Sequence, residues 1–263
     1  MYAFDYARPT TEAEALQLVQ AGGKPLAGGQ TLLGSMKLRL ASPEKLIDLG
    51  AVKELTGIRK EADAVTIGAM TRHADVAESA DVRAAIPALA ELAAHIGDKQ
   101  VRAMGTLGGS AANDDPAADY PAAVLALGAT IVTSKREVAA DDFFQGLFTT
   151  ALEDGELITA IRFPIPQRAA YVKFPQPASL FALIGVFVAQ SRNGVRVAVT
   201  GGGSGVFRQQ SMEAALAKNF ASGAIANIQA DPAELSSDLH GSAAYRAHLI
   251  SVIAGRAVAK ALA

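Results

Sequence analysis

Pro25-Leu26-Ala27-Gly28-Gly29-Gln30-Thr31-Leu32-Leu33-Gly34-Ser35 is the stretch on which the reading of this chain turns. A short apolar run, Lys24–Ala27, enters a glycine pair, and the spacing from Thr31 to Leu40 predicts a helix. Upstream, Thr10 and Thr11 with Glu12 and Glu14 signal a helix start, with Ala13, Leu16, Val19 and Ala21 on one face and Gly22-Gly23 closing it. Downstream, Leu46-Ile47-Asp48-Leu49 reads as a strand. Strand, glycine loop, helix, strand is the order of a βαβ unit.

A second loop, Gly105-Thr106-Leu107-Gly108-Gly109-Ser110, repeats the pattern. Glycine pairs let a backbone approach a ligand and turn its N–H groups inward, and a helix opening beside them favours an anion. The hydroxyls of Thr31, Thr106 and Ser110 add donors. One Gly-Gly pair alone is most simply a tight turn; two together, with hydroxyls placed alike, point as readily to a diphosphate. Ser35 stands where a Walker loop needs Lys, and neither loop has the Gly-x-Gly-x-x-Gly spacing. In Asn113-Asp114-Asp115-Pro116-Ala117-Ala118-Asp119, Asp119 suits either a ribose hydroxyl or the cap of a helix starting at Tyr120, and Asp114 or Asp115 suits a hard cation. A third cluster, Gly201–Gly205, ends a strand and reads more readily as a connection than as a phosphate site.

Further along, Ala64–Gly68 predicts a strand, Val76–Ala94 a helix, and Met104–Asp119 a loop of small and acidic residues. Helix Tyr120–Leu127, strand Ala129–Thr133, a helical turn near Ala140–Phe144 and strand Glu156–Phe163 follow. Pro164-Ile165-Pro166 marks a boundary. Strands at Tyr171–Phe174, Phe181–Gln190 and Val195–Thr200 come next, the last two joined by a hairpin at Asn193-Gly194. Helices over Met212–Lys218 and Ser242–Leu262 complete the order.

At 263 residues and about 150 per domain, the chain holds one large or two modest domains. Half its residues are hydrophobic and 19% charged, too apolar for disorder, yet no run of about 18 apolar residues spans a bilayer. A net charge of −2 provides no field for nucleic acid. The absence of Cys excludes disulfides, thiolate nucleophiles and Cys-ligated zinc or iron–sulfur clusters within this chain. Met1–Tyr6 lacks a basic and apolar leader, so a cytoplasmic location is expected. His73, His95, His240 and His248 form no metal-ligand pair and read as surface or capping residues, and no hydrolytic motif occurs. If the chain takes part in chemistry, a cofactor carries it.

These loops resemble those of the medium, FAD-binding subunit of molybdenum hydroxylases, the family of bacterial carbon monoxide dehydrogenase and xanthine dehydrogenase. Ala27–Leu33 continuing through Met36-Lys37-Leu38-Arg39-Leu40 is similar to the first FAD loop, Thr106–Ser110 to the second, and Asp115–Pro121 to the acidic turn after it. Ile67–Thr71, Phe143–Thr150, Tyr171–Phe174, and Ser237–Ser242 with Tyr245-Arg246 extend the resemblance over nearly the whole chain. It implies an α+β protein of the p-cresol methylhydroxylase-type FAD-binding fold, with α/β subdomains at 1–55 and 56–165 gripping FAD and a C-terminal domain, 166–263, of antiparallel sheet and helices. It implies that Ala27, Gly28, Gly29, Gln30, Thr31 and Leu32, with Thr106, Gly108, Gly109 and Ser110, hold the diphosphate of non-covalent FAD. Asp119 would hold a ribose hydroxyl or nearby polar group, Ile158 would pack on adenine, and Lys173 would lie near the flavin.

No catalytic residue or metal ligand is implied for this chain. A large partner would carry the molybdenum cofactor and a small partner two [2Fe-2S] clusters, in a dimer of heterotrimers. Electrons from the clusters would pass through FAD to NAD, a quinone or oxygen. Ala103 and Met104, in Arg102-Ala103-Met104 where the family often has Arg-Asn-Arg, and Leu180, where it often has Arg, remove polar groups near the flavin, and Gly34 stands where Pro is common. The rival expectations are a self-sufficient flavin oxidase or reductase of the same fold, and a nucleotide-binding module without redox function.

Overall fold

The first fifty residues build the expected βαβ unit. The computed structural model describes all 263 residues. Strand β1 (Asp5–Ala7), helix α1 (Glu12–Gln20), strand β2 (Lys24–Leu26), helix α2 (Leu32–Lys37) and strand β3 (Lys45–Asp48) follow in order. The strands form a parallel sheet with β3 central. Thr11 caps α1 by accepting the Glu14 N–H at 3.3 Å, and Ala15 and Val19 bury its inner face. Helix α2 stops earlier than predicted because Arg39 turns to φ +62°, a left-handed conformation that ends a right-handed helix.

The middle of the chain forms a five-stranded antiparallel sheet and a small hairpin. Its strands are β4 (Ile58–Lys60), β5 (Ala64–Gly68), β6 (Thr130–Thr133) and β7 (Glu137–Ala139), then the hairpin β8 (Phe144–Gly146) and β9 (Thr149–Thr150), then β10 (Ile158–Pro164). The sheet order is β4-β5-β10-β6-β7. The helix predicted over Val76–Ala94 divides into α3 (His73–Glu78), α4 (Ala80–Ala85) and α5 (Pro87–Ala94). Ser79 leaves the helix to cap α4 at Val82 N–H, and Pro87 has no amide to continue from the turn before it.

Met104–Asp119, expected as a loop, is largely helical. Helix α6 (Lys99–Met104) runs into it and α7 (Leu107–Asn113) fills its first half. Thr106 caps α7 at Gly109 N–H, and a Cβ on Gly108 would lie 2.5 Å from that of Ala69. The small residues there mark close packing rather than freedom. Helix α8 (Tyr120–Leu127) begins as predicted and is buried on every side, then ends at Gly128, φ +61°. The one-turn α9 (Ala140–Phe143) precedes the hairpin.

The last third forms an antiparallel sheet, β11 (Arg168–Pro175), β12 (Ala182–Ser191), β13 (Gly194–Thr200) and β14 (Phe207–Arg208), in sequence order. Helices α10 (Gln210–Lys218) and α11 (Ala243–Leu262) cover one face. Strand β12 is buried on both faces. Ile184, Val186 and Val188 join the core under α10 and α11, while Phe187 and Ala189 join the core around α8. Each large sheet draws on one contiguous segment, and α8 is wedged between the second and third. No helix is long and apolar enough to cross a membrane.

Glu156, its side chain fully buried, ties the β6–β7 turn to the segment entering β10. Thr133 Oγ1 donates to it at 2.6 Å, Arg136 pairs with it at 3.2 Å, and the Glu153 N–H donates at 2.8 Å. Burial alone would raise its pKa, but these donors outweigh burial and hold the carboxyl at about 2. A carboxyl depressed on folding stabilises the protein above its unfolded pKa and loses that contribution as pH falls through the folded value. Glu156→Gln is therefore expected to cost about 3 kcal/mol at neutral pH. Thermal denaturation should show the difference from the parent shrinking between about pH 5 and pH 2.

Candidate cofactor-binding site

The two glycine loops, far apart in sequence, touch. The first leaves β2 and enters α2; the second leaves α6 and enters α7. A Cβ on Gly28 would strike Met104 O and lie 2.6 Å from Gly105 Cα, and one on Gly109 would lie 3.2 Å from Ala27 Cβ. Gly29 makes the turn at φ +70°, and Gln30 folds back to donate from Nε2 to Gly28 O at 3.0 Å. The backbone N–H groups from Ala27 to Leu32 donate to no atom of the protein. The second loop differs. Leu107, Gly108 and Ser110 N–H donate to Thr71 O, Ala69 O and Thr106 O, and Gly109 N–H to Thr106 Oγ1. A run of unpartnered amides beside a close-packed glycine wall suits a diphosphate.

Asp119 immediately precedes α8, but its side chain does not cap that helix. Its carboxylate accepts the Tyr171 hydroxyl and pairs with Lys173 Nζ at 3.1 Å. Lys173 also donates to His95 O at 2.7 Å and Leu180 O at 3.0 Å. The Lys173 and Asp119 side chains are 8% and 4% exposed. Burial pushes the Asp119 carboxyl up, and the Lys173 ammonium and Tyr171 hydroxyl oppose that shift. Ile158 opens β10 with its side chain in the core. Its neighbour Thr159 accepts the Ala69 N–H at 2.9 Å, and Ala69 O in turn holds Gly108. The loops thus form one neighbourhood and Asp119 with Lys173 a second, joined through α7 and the turn that follows it.

Two of the site's neighbours were not expected from the residue pattern. His73 is buried rather than at the surface or capping: its backbone N–H donates to Gly105 O at 2.9 Å, and its ring lies 5.3 Å from that of Tyr120. Burial, with the Arg102 charge adding, pushes its pKa down to about 4, so the ring is neutral at physiological pH. Asp114 follows α7 at φ +44°, fully buried, and neither carboxylate oxygen has a partner. No sequence signal separates such a residue from its exposed acidic neighbours; burial is a property of the packed chain.

Fold and site together define an α+β protein of the flavin-binding class. The family described as "FAD binding domain in molybdopterin dehydrogenase" matches residues 2–166. The carbon monoxide dehydrogenase medium chain of Afipia carboxidovorans is 38% identical over 99% of this chain and 97% of its own length. The glyceraldehyde dehydrogenase medium chain of Sulfolobus acidocaldarius is 34% identical over 97% of this chain and 96% of its own. The solved carbon monoxide dehydrogenase of Hydrogenophaga pseudoflava superposes with a TM-score of 0.90 at 36% identity, covering 99% of this chain and 98% of that one. This chain belongs to the FAD-binding medium-subunit family of molybdenum hydroxylases, which are oxidoreductases.

Burial, with Asp115 close by, pushes the Asp114 carboxyl up to about 7. An acid that binds its proton more tightly when folded loses stability as pH rises from the unfolded pKa to the folded one. Asp114→Asn keeps a residue that tolerates the left-handed backbone but cannot ionise. The parent should lose on the order of 1–3 kcal/mol between about pH 4 and pH 7 that the variant keeps. Denaturant titrations across that range check the difference.

Proposed function

We propose that this chain is the electron-transfer subunit of a molybdenum-containing hydroxylase, binding FAD non-covalently in the cradle between its two glycine loops. The observation that carries this reading is the run of partnerless amides from Ala27 to Leu32 against the Gly105–Gly109 wall. Such amides complement a diphosphate that brings two negative charges and no donors. The hydroxyls of Thr31, Thr106 and Ser110 supplement them. Asp119, held in place by Tyr171 and Lys173, offers a fixed acceptor for a ribose hydroxyl or a nearby polar group. Ile158, its side chain in the core, backs the surface assigned to adenine, and Lys173, fixed by His95 O and Leu180 O, sets the electrostatics near the flavin.

FAD, when bound, supplies the ability to accept electrons singly and to release them as a pair. The chain's own residues hold it, exclude water from its diphosphate and fix the charges around it. In this reading a small partner with two [2Fe-2S] clusters delivers the electrons and a large partner with the molybdenum cofactor oxidises the substrate. The complex is a dimer of heterotrimers in the cytoplasm, with NAD, a quinone or oxygen as acceptor. The relatives named as medium chains support the division of labour. The subdomains 1–55 and 56–165 and the domain 166–263 are supported by the confinement of each large sheet to its own segment. Of the departures from the family pattern, Met104 is exposed, and Arg102, which matches the pattern beside it, braces the backbone at Ile96 O and Gly97 O.

Gly28→Val is expected to separate the loops and weaken FAD binding by at least about a hundredfold, because a Cβ there meets backbone on the opposite loop. Gly34→Ala, with nothing within 4 Å of its added Cβ, should bind like the parent. Visible absorbance and the mass of the released chromophore read both, with circular dichroism as the check on folding. A folded Gly28→Val protein that is still fully yellow would overturn the cradle.

A further inference from the structure

Asp114 and Phe148 both hold a left-handed backbone, at φ +44° and φ +52°, a conformation that side chains with a Cβ rarely adopt. One hydrogen bond joins them. Phe148 N–H donates to Asp114 O at 3.2 Å and ties the tip of the β8–β9 hairpin to the end of α7. It is the one hydrogen bond that residues 144–150 make outside the hairpin and its base. The base is firm: Phe143 is fully buried, its ring meets that of Phe144 edge-on at 5.1 Å, and its O accepts Ala151 N–H at 2.8 Å. The hairpin above it is an isolated two-stranded sheet with a shifted register between Phe144 and Gly146, and two strands alone are marginal in water. Leu147 and Phe148 at its tip are 58% and 57% exposed. Leu147 also lines a cavity of about 510 Å³, which it shares with Gly201 and Gly203 of the third glycine cluster and with Arg246.

The Asp114 side chain is sealed from water, and neither of its oxygens meets a donor. A neutral carboxylic acid tolerates such a seat far better than an ionised one. No group of three acidic or histidine side chains exists that could hold a metal ion in place of the proton. Nor does a cation stand ready to neutralise the carboxylate. Asp115, the neighbour in sequence, carries the same sign. Of the elements packed against α7, β5 and β9 hold no charged residue, and Arg162 on β10 is already paired with Glu61 and Asp63. On the side of α8, the Tyr120 hydroxyl is buried and its pKa pushed up, and Asp119 is paired with Lys173.

We propose that Asp114 is a proton-operated latch on the hairpin tip. Protonated, it stays in its seat and holds Phe148. Ionised, it turns out to water, the Phe148 bond breaks, and Leu147 leaves the cavity wall. Two left-handed residues relax in the same step. The latch needs neither the flavin nor a partner subunit, so it stands apart from the function proposed above. The open state titrates near the ordinary carboxylate value of about 4, and the closed state at about 7. The opening constant therefore rises by up to about tenfold per pH unit across that interval and levels off above it.

Hydrogen–deuterium exchange of the full-length chain tests the latch, read by mass on the segment 144–151 and divided at each pH by the rate of the same peptide unstructured. Protection of that segment should fall at least about tenfold between pH 5 and pH 7.5. Strand β12 should stay protected well above the hairpin at every pH, because the opening is local. Asp114→Asn, which cannot ionise, should hold the hairpin's protection constant over the same range. Asp114→Gly, which also keeps the left-handed backbone and lacks the carboxyl, should do the same and serves if the first variant does not fold. Parent protection indifferent to pH, a folded variant that keeps the parent's pH dependence, or a hairpin that exchanges only together with β12 would each overturn the proposal.

Discussion

At Gly28 the backbone of the first loop lies against Met104 and Gly105 of the second with no room for a methyl group between them. That approach sets the position of the free amides, because the first loop cannot close on the second wall if residue 28 carries a Cβ. It also explains why the second loop spends its own amides internally. Leu107 and Gly108 anchor α7 to Thr71 O and Ala69 O, which makes the wall rigid enough for the first loop to rest on. The cradle is thus asymmetric, one side donating and the other supporting.

The wall in turn depends on α8. This helix is apolar on every face and sits between the second and third sheets, so it has no solvent side to accommodate a shift. Asp119 is the last polar residue before it. With the carboxylate buried and the helix fixed, Tyr171 and Lys173 from β11 complete its hydrogen bonds, and Lys173 carries the constraint onward to His95 and Leu180. One buried ionic cluster therefore joins the middle and last segments where the proposed ring-binding end of the site would be.

The repeating elements were legible because their periods and punctuation are local. The βαβ start, α8, the Asn193-Gly194 hairpin and the two C-terminal helices all stand close to where pattern and turn residues place them. Met104–Asp119 reads as a loop because Gly, Ala and Ser signal mobility in isolation, whereas Gly108 lies so close to Ala69 that only a residue without a Cβ lets the helix pack there. His73 was misread because a lone histidine carries no sign of what will cover it. Its burial comes from Gly105 and Tyr120, distant in sequence. The long predicted helix over Val76–Ala94 failed at Ser79 and Pro87, both helix-start signals set inside an otherwise continuous apolar period.

By itself the sequence determined the order of elements, the glycine pairs that permit a backbone cradle, and the absence of any thiolate chemistry in this chain. Those properties reside in single residues and short spacings, which act through local sterics and hydrogen bonding. Only the tertiary structure decided which amides remain free, that Asp119 meets Lys173 and Tyr171 rather than capping α8, that Asp114 is sealed from water, and that Arg246 and the third glycine cluster share a cavity. Each of those depends on which distant surfaces meet, and free donors and buried charges take their energies from that environment rather than from the residue alone.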